Sequence, residues 1–390
     1  MKPTINRREW LRNTALLTGG LTFLPGLINK VSANHFNNNY QPYYDDKDFV
    51  FENEDAFPKL RARLFANENP FGPSDAAKKA ITGAMNESFR YPFIELMGVE
   101  KKIVDFEGLG PKNILTGAGS SPLLRAASVH YSKPGSNIVT ADPTYDDLPS
   151  HCEGFHAQLI KVPLTAAFEY DLDAIEKAIN ANTSLVYICN PNNPTGTILN
   201  ADKLRSFCDR VSKKVPVFVD EAYIDYLPDP KASSMVDCVK RGSNVIVART
   251  FSKLYGFAGL RFGYVLAQTE VITQLDMYTP GGQSISALSV AAANVAFKEQ
   301  PYLQDALSKT NTSKEYLYKI LKEEGYTYIP SHTNFVMFPI KMEGQKFMDE
   351  MMKRGVGVRF WKFNNKEWCR VSVGRMDEMQ AFAEAFKEIS

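Results

Sequence analysis

From about residue 60 the chain alternates between two periods. Short runs rich in apolar, β-branched and aromatic residues, "NILTGAG", "SNIVTAD", "SLVYICN", "VPVFVDEAY", "NVIVART" and "FGYVLA", are separated by stretches with helical spacing. Ala201 to Val211 is one such stretch, and Asn200 just before it suits a helix N-cap. Strands alternating with helices predict an α/β domain with a mainly parallel sheet. No internal repeat is visible.

The pattern changes near residue 285. "SALSVAAANVAF" and "YLQDALSKTNTSKEYLYKILKEEG" predict helices, followed by short strands in "TNFVMFP", "GVGVRF" and "CRVSVG" and a last helix from Asp377 onward. Strands and helices segregate differently here, which predicts a smaller α+β domain. The expected organisation is a leader over 1–33, a linker over 34–59 and an arm over 60–90 that joins the small domain. A large domain over 91–289 and a small C-terminal domain over 290–390 follow.

The leader is read from charge order. Arg7-Arg8, then Glu9, Trp10 and Leu11, precede a modestly apolar run from Ala15 to Leu27, too short and too glycine-rich to span a bilayer stably. The segment resembles a twin-arginine export signal, with Val31-Ser32-Ala33 as a small-residue cleavage site. This predicts a periplasmic or otherwise exported protein with no stable membrane span after export. Twin-arginine systems carry folded, cofactor-loaded proteins, so a bound prosthetic group is expected. "NHFNNNYQPYYDDKDF" behind it is polar and turn-rich, as a linker would be.

Composition narrows the class. With 390 residues, 44% of them hydrophobic, the chain has the material for a large core and is neither disordered nor fibrous. Lys and Arg number 45 against 44 Asp and Glu, dispersed along the chain, which gives no electrostatic footprint for nucleic acid. The 5 cysteines form no CxxC pair and the 5 histidines no HExxH motif, so neither a disulfide framework nor a metal site is expected.

In open α/β sheets, ligands bind beyond the carboxyl ends of the strands. There the sequence places Gly117 to Ser121, Pro143-Thr144-Tyr145, "NPNNPTG", Asp220 through Tyr223, and Ser252-Lys253. A lysine just past a buried strand either escapes to solvent or is wanted with its amine unprotonated. Together these residues suit a phosphorylated aromatic aldehyde. Lys253 would condense with the aldehyde, Asp220 would hold a ring nitrogen protonated, Tyr145 would stack on the ring, and Asn193 and Tyr223 would hydrogen-bond a phenolic oxygen. Gly119, Ser120, Ser252 and Arg261 would cradle the phosphate. That ligand is pyridoxal 5′-phosphate. Singly, each residue also has a plain structural role, Asp220 as a turn cap or Tyr145 as a core aromatic; the combination and its order carry the reading.

"LFANENPFGP" (64–73), "ICNPNNPTGT", "VDEAYIDY", "RTFSKLYGFAGLRFGY" and "CRVSVG" resemble the fold-type I, class I/II aminotransferases, in their histidinol-phosphate aminotransferase-like branch. The resemblance runs from about residue 60 to the C-terminus. It implies the type I fold of pyridoxal phosphate-dependent transferases and a homodimer whose active site is shared between subunits. It also implies transfer of an amino group from an amino acid or related amine to a 2-oxo acid. By the same resemblance, Lys253, Asp220 and Tyr223 are catalytic, and Tyr91 in "FRYP" reaches the neighbouring subunit's phosphate site. Arg370 would bind the substrate α-carboxylate, or a substrate phosphate, with Arg359 a second anion contact and Asn67 a further substrate contact. Decarboxylation, racemisation or elimination on the same cofactor are the alternatives, and a non-catalytic ligand-binding protein is a further one.

The chain also departs from the family pattern. Ser121-Pro122 replaces an acidic pair after the glycine loop, Phe93 stands where an acidic residue is usual, and Trp361 and Phe363 flank Arg359. Histidinol phosphate is a cytosolic metabolite, so export and these aromatic residues predict a free α-amino acid with a sizeable apolar or aromatic side chain as donor.

Overall fold

A computed structural model describes residues 60–390; the leader, its cleavage site and the linker lie outside the described residues. The strands of the main sheet are β2 (Ile114–Gly117), β3 (Asn137–Asp142), β4 (Gln158–Pro163), β5 (Thr183–Cys189), β6 (Val217–Asp220), β7 (Val245–Thr250) and β8 (Gly263–Leu266). They lie in the order β2-β8-β7-β6-β5-β3-β4. The neighbours from β7 through β4 pair in parallel, while β8 runs antiparallel to both β2 and β7. The central strands β5, β6 and β7 are covered on both faces, which is why their sequences are nearly unbroken apolar runs instead of alternating ones. The mainly parallel sheet predicted from the alternation is thus present, and β4, a half-exposed edge strand, is the one the apolar runs did not announce.

The helix over Ala201–Val211 starts where its cap predicts: Asn200 Oδ1 accepts from the backbone N–H groups of Asp202 and Lys203, each at 3.1 Å. Ser74 caps the helix Asp75–Ala84 in the same way. Behind the carboxyl ends of β6 and β7, Arg249 donates to Glu107 at 2.9 Å and to Glu221 at 3.0 Å, all three side chains being buried. This network ties both strands to the helix Phe93–Glu107.

A second core gathers Leu317, Phe338, Phe347, Val371, Phe382 and their neighbours. It packs around β9 (Phe335–Pro339), β11 (Arg359–Phe363) and β12 (Lys366–Ser372), an antiparallel sheet in the order β11-β12-β9. The long helix Gln300–Glu323 serves both cores: Leu303 and Ala306 belong to the first, Leu317 and Leu321 to the second. The chain enters through β1 (Ala62–Arg63), which pairs in parallel with β10 (Val356–Gly357). Leu64 then accepts from Ser372 N–H at 2.9 Å, and this directs the next residues toward the large sheet. Among the described residues no helix is long and apolar enough to cross a membrane, and no cluster of three or more metal-ligating side chains occurs.

Candidate active site

Lys253 lies three residues beyond β7 in a turn fixed by aromatic packing. Phe251 stacks on Tyr255 at 4.4 Å and meets Phe262 edge-on at 4.9 Å, while its N–H bonds Phe262 O. Gly256 lets this turn approach the arm, since a Cβ there would sit 2.3 Å from Gly72 O. The largely buried Lys253 amine is 3.4 Å from Asn67 O and 5.3 Å from the Tyr223 ring centroid. Burial, and then the Arg370 charge, bring its pKa down to about 8. An amine so placed is far more often a neutral nucleophile and base than a surface lysine is.

Asp220 ends β6, in register with Cys189 of β5 and Ala248 of β7, and is almost fully buried. Its carboxylate accepts from Tyr187 Oη at 3.3 Å and from Ala222 N–H at 3.1 Å. Burial raises its pKa to about 7. Among the described residues this buried carboxyl has no cationic partner at hydrogen-bond range, and a protonated ring nitrogen would supply one.

Residues expected to hold a phosphate, Gly119 and Ser120, lie at the start of the helix Ser121–Tyr131, with Arg261 beside Gly119. Gly119 has φ +84, and a Cβ on it would fall 2.1 Å from Arg261 Nη2, so only glycine leaves room for the guanidinium. Arg261 donates to Ser252 Oγ at 3.1 Å and to Ala258 O at 3.0 Å, and among the described residues it forms no ion pair with a carboxylate. Ser120 immediately precedes that helix, where backbone N–H groups point outward. A cation without a counter-charge beside a helix N-terminus fits a phosphate dianion.

Across the site, Arg370 of β12 is almost fully buried and donates to Asn193 Oδ1 at 2.6 Å and to Phe65 O at 2.9 Å. Its guanidinium lies 4.5 Å from the Trp361 ring and 5.2 Å from that of Phe335. Asn67 joins the two halves: its amide donates to Tyr223 Oη at 3.0 Å, its Oδ1 accepts from Ser372 Oγ at 2.9 Å, and its carbonyl takes Asn334 Nδ2 at 3.0 Å. Arg359 stands opposite Arg370 in the β11–β12 pair. Tyr145, half-buried, packs against the core group containing Leu148, Tyr187 and Cys189. Tyr91 is 71% exposed and stacks on Phe93, outside this constellation. Phe363 packs on Trp368 at 4.8 Å and meets Phe168 edge-on, so of the two aromatics beside Arg359 only Trp361 lies against Arg370.

The sequence profile of the family "Aminotransferase class I and II" matches residues 62–386. The chain belongs to that family. It is 33% identical over 351 residues to the histidinol-phosphate aminotransferase of Moorella thermoacetica, covering 90% of each chain. It is 34% identical over 325 residues to that of Staphylococcus haemolyticus, covering 83% of this chain and 90% of the other. The crystal structure of histidinol-phosphate aminotransferase from Sinorhizobium meliloti in complex with pyridoxal-5′-phosphate superimposes with a TM-score of 0.80 at 27% identity, covering 92% of this chain and 100% of that one. The enzyme is thus a pyridoxal phosphate-dependent aminotransferase with the type I fold.

The residues present fit the cofactor. Lys253 would hold its aldehyde carbon, Asp220 its ring nitrogen, Tyr223 and Asn193 its phenolic oxygen, and Gly119, Ser120, Ser252 and Arg261 its phosphate. When bound, the group supplies an electron sink for the bond broken at the substrate Cα. The chain would supply the rest: Lys253 would move the proton at its Nζ, Asp220 would keep one on the ring nitrogen, and Arg370 would orient an anionic substrate. Several supporting residues escaped sequence reasoning. Tyr187 was visible only as the one phenol in an aliphatic strand, Ser372 lies two positions after Arg370 on the same strand face, and Asn334 is a lone amide at a strand start.

Proposed function

We propose that this aminotransferase draws its amino group from a free α-amino acid with an apolar or aromatic side chain, and passes it to a 2-oxo acid. The observation that carries the reading is the Trp361 ring, 4.5 Å from the guanidinium of Arg370. An arginine backed by an indole suits a carboxylate with an apolar group beside it better than a phosphate in water. The test is a half-reaction screen that follows the cofactor's absorbance with each donor and identifies the oxo product by mass spectrometry. Aromatic and large aliphatic amino acids are expected to exceed histidinol phosphate in kcat/KM. Histidinol phosphate as the best donor would end the reading.

The same reading includes a homodimer that shares its sites and an exported location. Phe89, Tyr91, Ile94 and Met97 are 74%, 71%, 82% and 67% exposed, more apolar surface than a short segment of a monomer usually leaves in water. With this patch covered by a second copy, Tyr91 would take the role that the family resemblance implies, at the partner's phosphate site. Ile94→Glu is expected to yield monomers in sedimentation and to lose cofactor at the same time; a dimer that keeps its cofactor would contradict the shared site. For export, Arg7→Lys with Arg8→Lys should leave the folded enzyme in the cytoplasm on fractionation. Unaltered localisation would refute the signal.

A further inference from the structure

Phe168 belongs to the loop between β4 and the helix Leu172–Ala178, and its backbone is held at φ +62, a left-handed conformation that glycine adopts freely and phenylalanine rarely. The loop is closed by its own bonds: Phe168 N–H donates to Thr165 O, and Thr165 N–H to Glu169 O, each at 2.9 Å. Two contacts reach outside it. The Phe168 carbonyl accepts from Thr197 Oγ1 at 2.7 Å, and Thr197 meets Thr195, whose hydroxyl takes Asn192 Nδ2 at 2.9 Å. The Phe168 ring stands edge-on to Trp368 at 5.3 Å and to Phe363 at 6.3 Å. Trp368 is two positions before Arg370 on β12 and directly opposite Trp361 of β11. One residue is therefore tied by its carbonyl to the loop that carries Asn193 and by its ring to the strand that carries Arg370. These are the same two segments that the Arg370–Asn193 hydrogen bond joins at 2.6 Å.

We propose that Phe168 is a positioning residue: it holds β12 against the Asn193 loop independently of the Arg370–Asn193 bond, so that Arg370 receives a substrate anion in a site already closed. The inference rests on Arg370 meeting that anion, and not on which donor carries it. A substrate anion calls on the donors of the same guanidinium, so the Arg370–Asn193 bond is no tie independent of ligand. The Phe168 bridge contains no group that a substrate would claim. Its left-handed backbone is a conformational cost, and such costs persist where the surroundings require a particular placement, here that of the ring. Phe363 also finds a use in this arrangement: stacked on Trp368 at 4.8 Å, it widens the surface on which the Phe168 ring rests. Without the ring, part of the population would have β12 withdrawn from the loop. Apparent affinity then falls by the fraction of molecules still competent to bind, while saturating substrate restores the closed arrangement and with it the turnover.

The experiment uses the cofactor-loaded enzyme with Trp10→Phe throughout, which leaves Trp361 and Trp368 as the only tryptophans of the chain. Phe168→Gly removes the ring and suits the left-handed backbone, so the loop keeps its turn. Its KM for phenylalanine and for histidinol phosphate should rise about tenfold with kcat within about twofold, and the Kd of the unreactive carboxylate 3-phenylpropionate, by calorimetry, should rise by the same factor. Tryptophan emission of the resting variant should move to the red and become more open to acrylamide, and saturating 3-phenylpropionate should reverse both. Phe168→Tyr, which keeps the ring, should behave as wild type. Thr197→Val, which frees the carbonyl, should raise KM about threefold, and it carries the test if the glycine variant does not fold. A lower unfolding temperature with KM, Kd and emission unchanged would reduce Phe168 to a packing residue and overturn the inference, as would a fall in kcat at unaltered KM. Arg370→Gln separates the two layers. If it leaves the 3-phenylpropionate Kd unaltered, the anion role of Arg370 fails and the inference with it. If it weakens that binding and Phe168→Gly does not, Arg370 keeps its role and Phe168 loses the one proposed.

Discussion

At the scale of single residues, function here depends on what a side chain is denied as much as on what it is given. Lys253 is denied water, and Gly119 is denied a side chain because a guanidinium occupies its place. Gly119→Ala should displace Arg261 and weaken cofactor binding by about ten- to a hundredfold, the value of one hydrogen bond to a charged group. Absorbance titration with pyridoxal phosphate checks this, with Gly154→Ala, a position with open space around it, as the unaffected control. Arg370 divides its donors between Asn193 and Phe65 before any substrate arrives. Arg370→Ala should therefore lower kcat/KM by about 2–5 kcal/mol, and lysine should rescue poorly because an ammonium cannot satisfy both partners and a carboxylate. Steady-state kinetics of the two variants decide it.

Among the elements, the sites that matter sit where strands stop. β6 delivers Asp220 inward, while Glu221, the next residue, turns to the opposite side and pairs with Arg249. Arg249→Met leaves two buried carboxylates uncompensated and should cost about 3–5 kcal/mol in urea unfolding, whereas adding Glu107→Gln and Glu221→Gln should recover part of the loss. This level was the more legible one. Asn200 announced its helix because a cap is a local event, and the strand ends announced Asp220 and Lys253 because a charge after an apolar run stands out. The hydrogen bond of Arg370 to Asn193 spans 177 positions and left no local trace. Nor did the separation of Trp361 from Phe363: both share a strand face, and only the packing of Phe168 and Trp368 against Phe363 decides which one reaches the site. Hydrophobic period predicts which face is buried, and not which neighbour it meets.

For the whole molecule, buried titrating groups make the cofactor-free enzyme sensitive to pH in two opposite windows. Asp220 is harder to ionise folded than unfolded, so between its ordinary 3.8 and about 7 the folded chain keeps a proton that the unfolded chain has lost, and stability falls as pH rises. Lys253 is harder to protonate when folded, so between about 8 and its ordinary 10.5 the unfolded chain holds the extra proton and stability rises with pH. Thermal unfolding of the apo enzyme should show both slopes. Asp220→Asn should flatten the first and Lys253→Met the second, and slopes unchanged in those variants would assign them to other groups.

The arm through Asn67 has a kinetic consequence. Its contacts to Ser372 join residues 305 positions apart, and they close the same site in which Lys253 and Tyr223 already lie on the other side. Contacts of such separation carry the largest loop-closure cost and form late. A nascent chain that has completed β7 owns its lysine and its buried acid, yet it has neither Arg370 nor an anchor for its own first turn. Capture of the cofactor in its finished setting must therefore wait until β12, with Arg370 and Ser372, has left the ribosome. The yellow colour of the loaded enzyme would thus mark chains in which the arm at Asn67 has met β12, and cofactor uptake during refolding would time that closure.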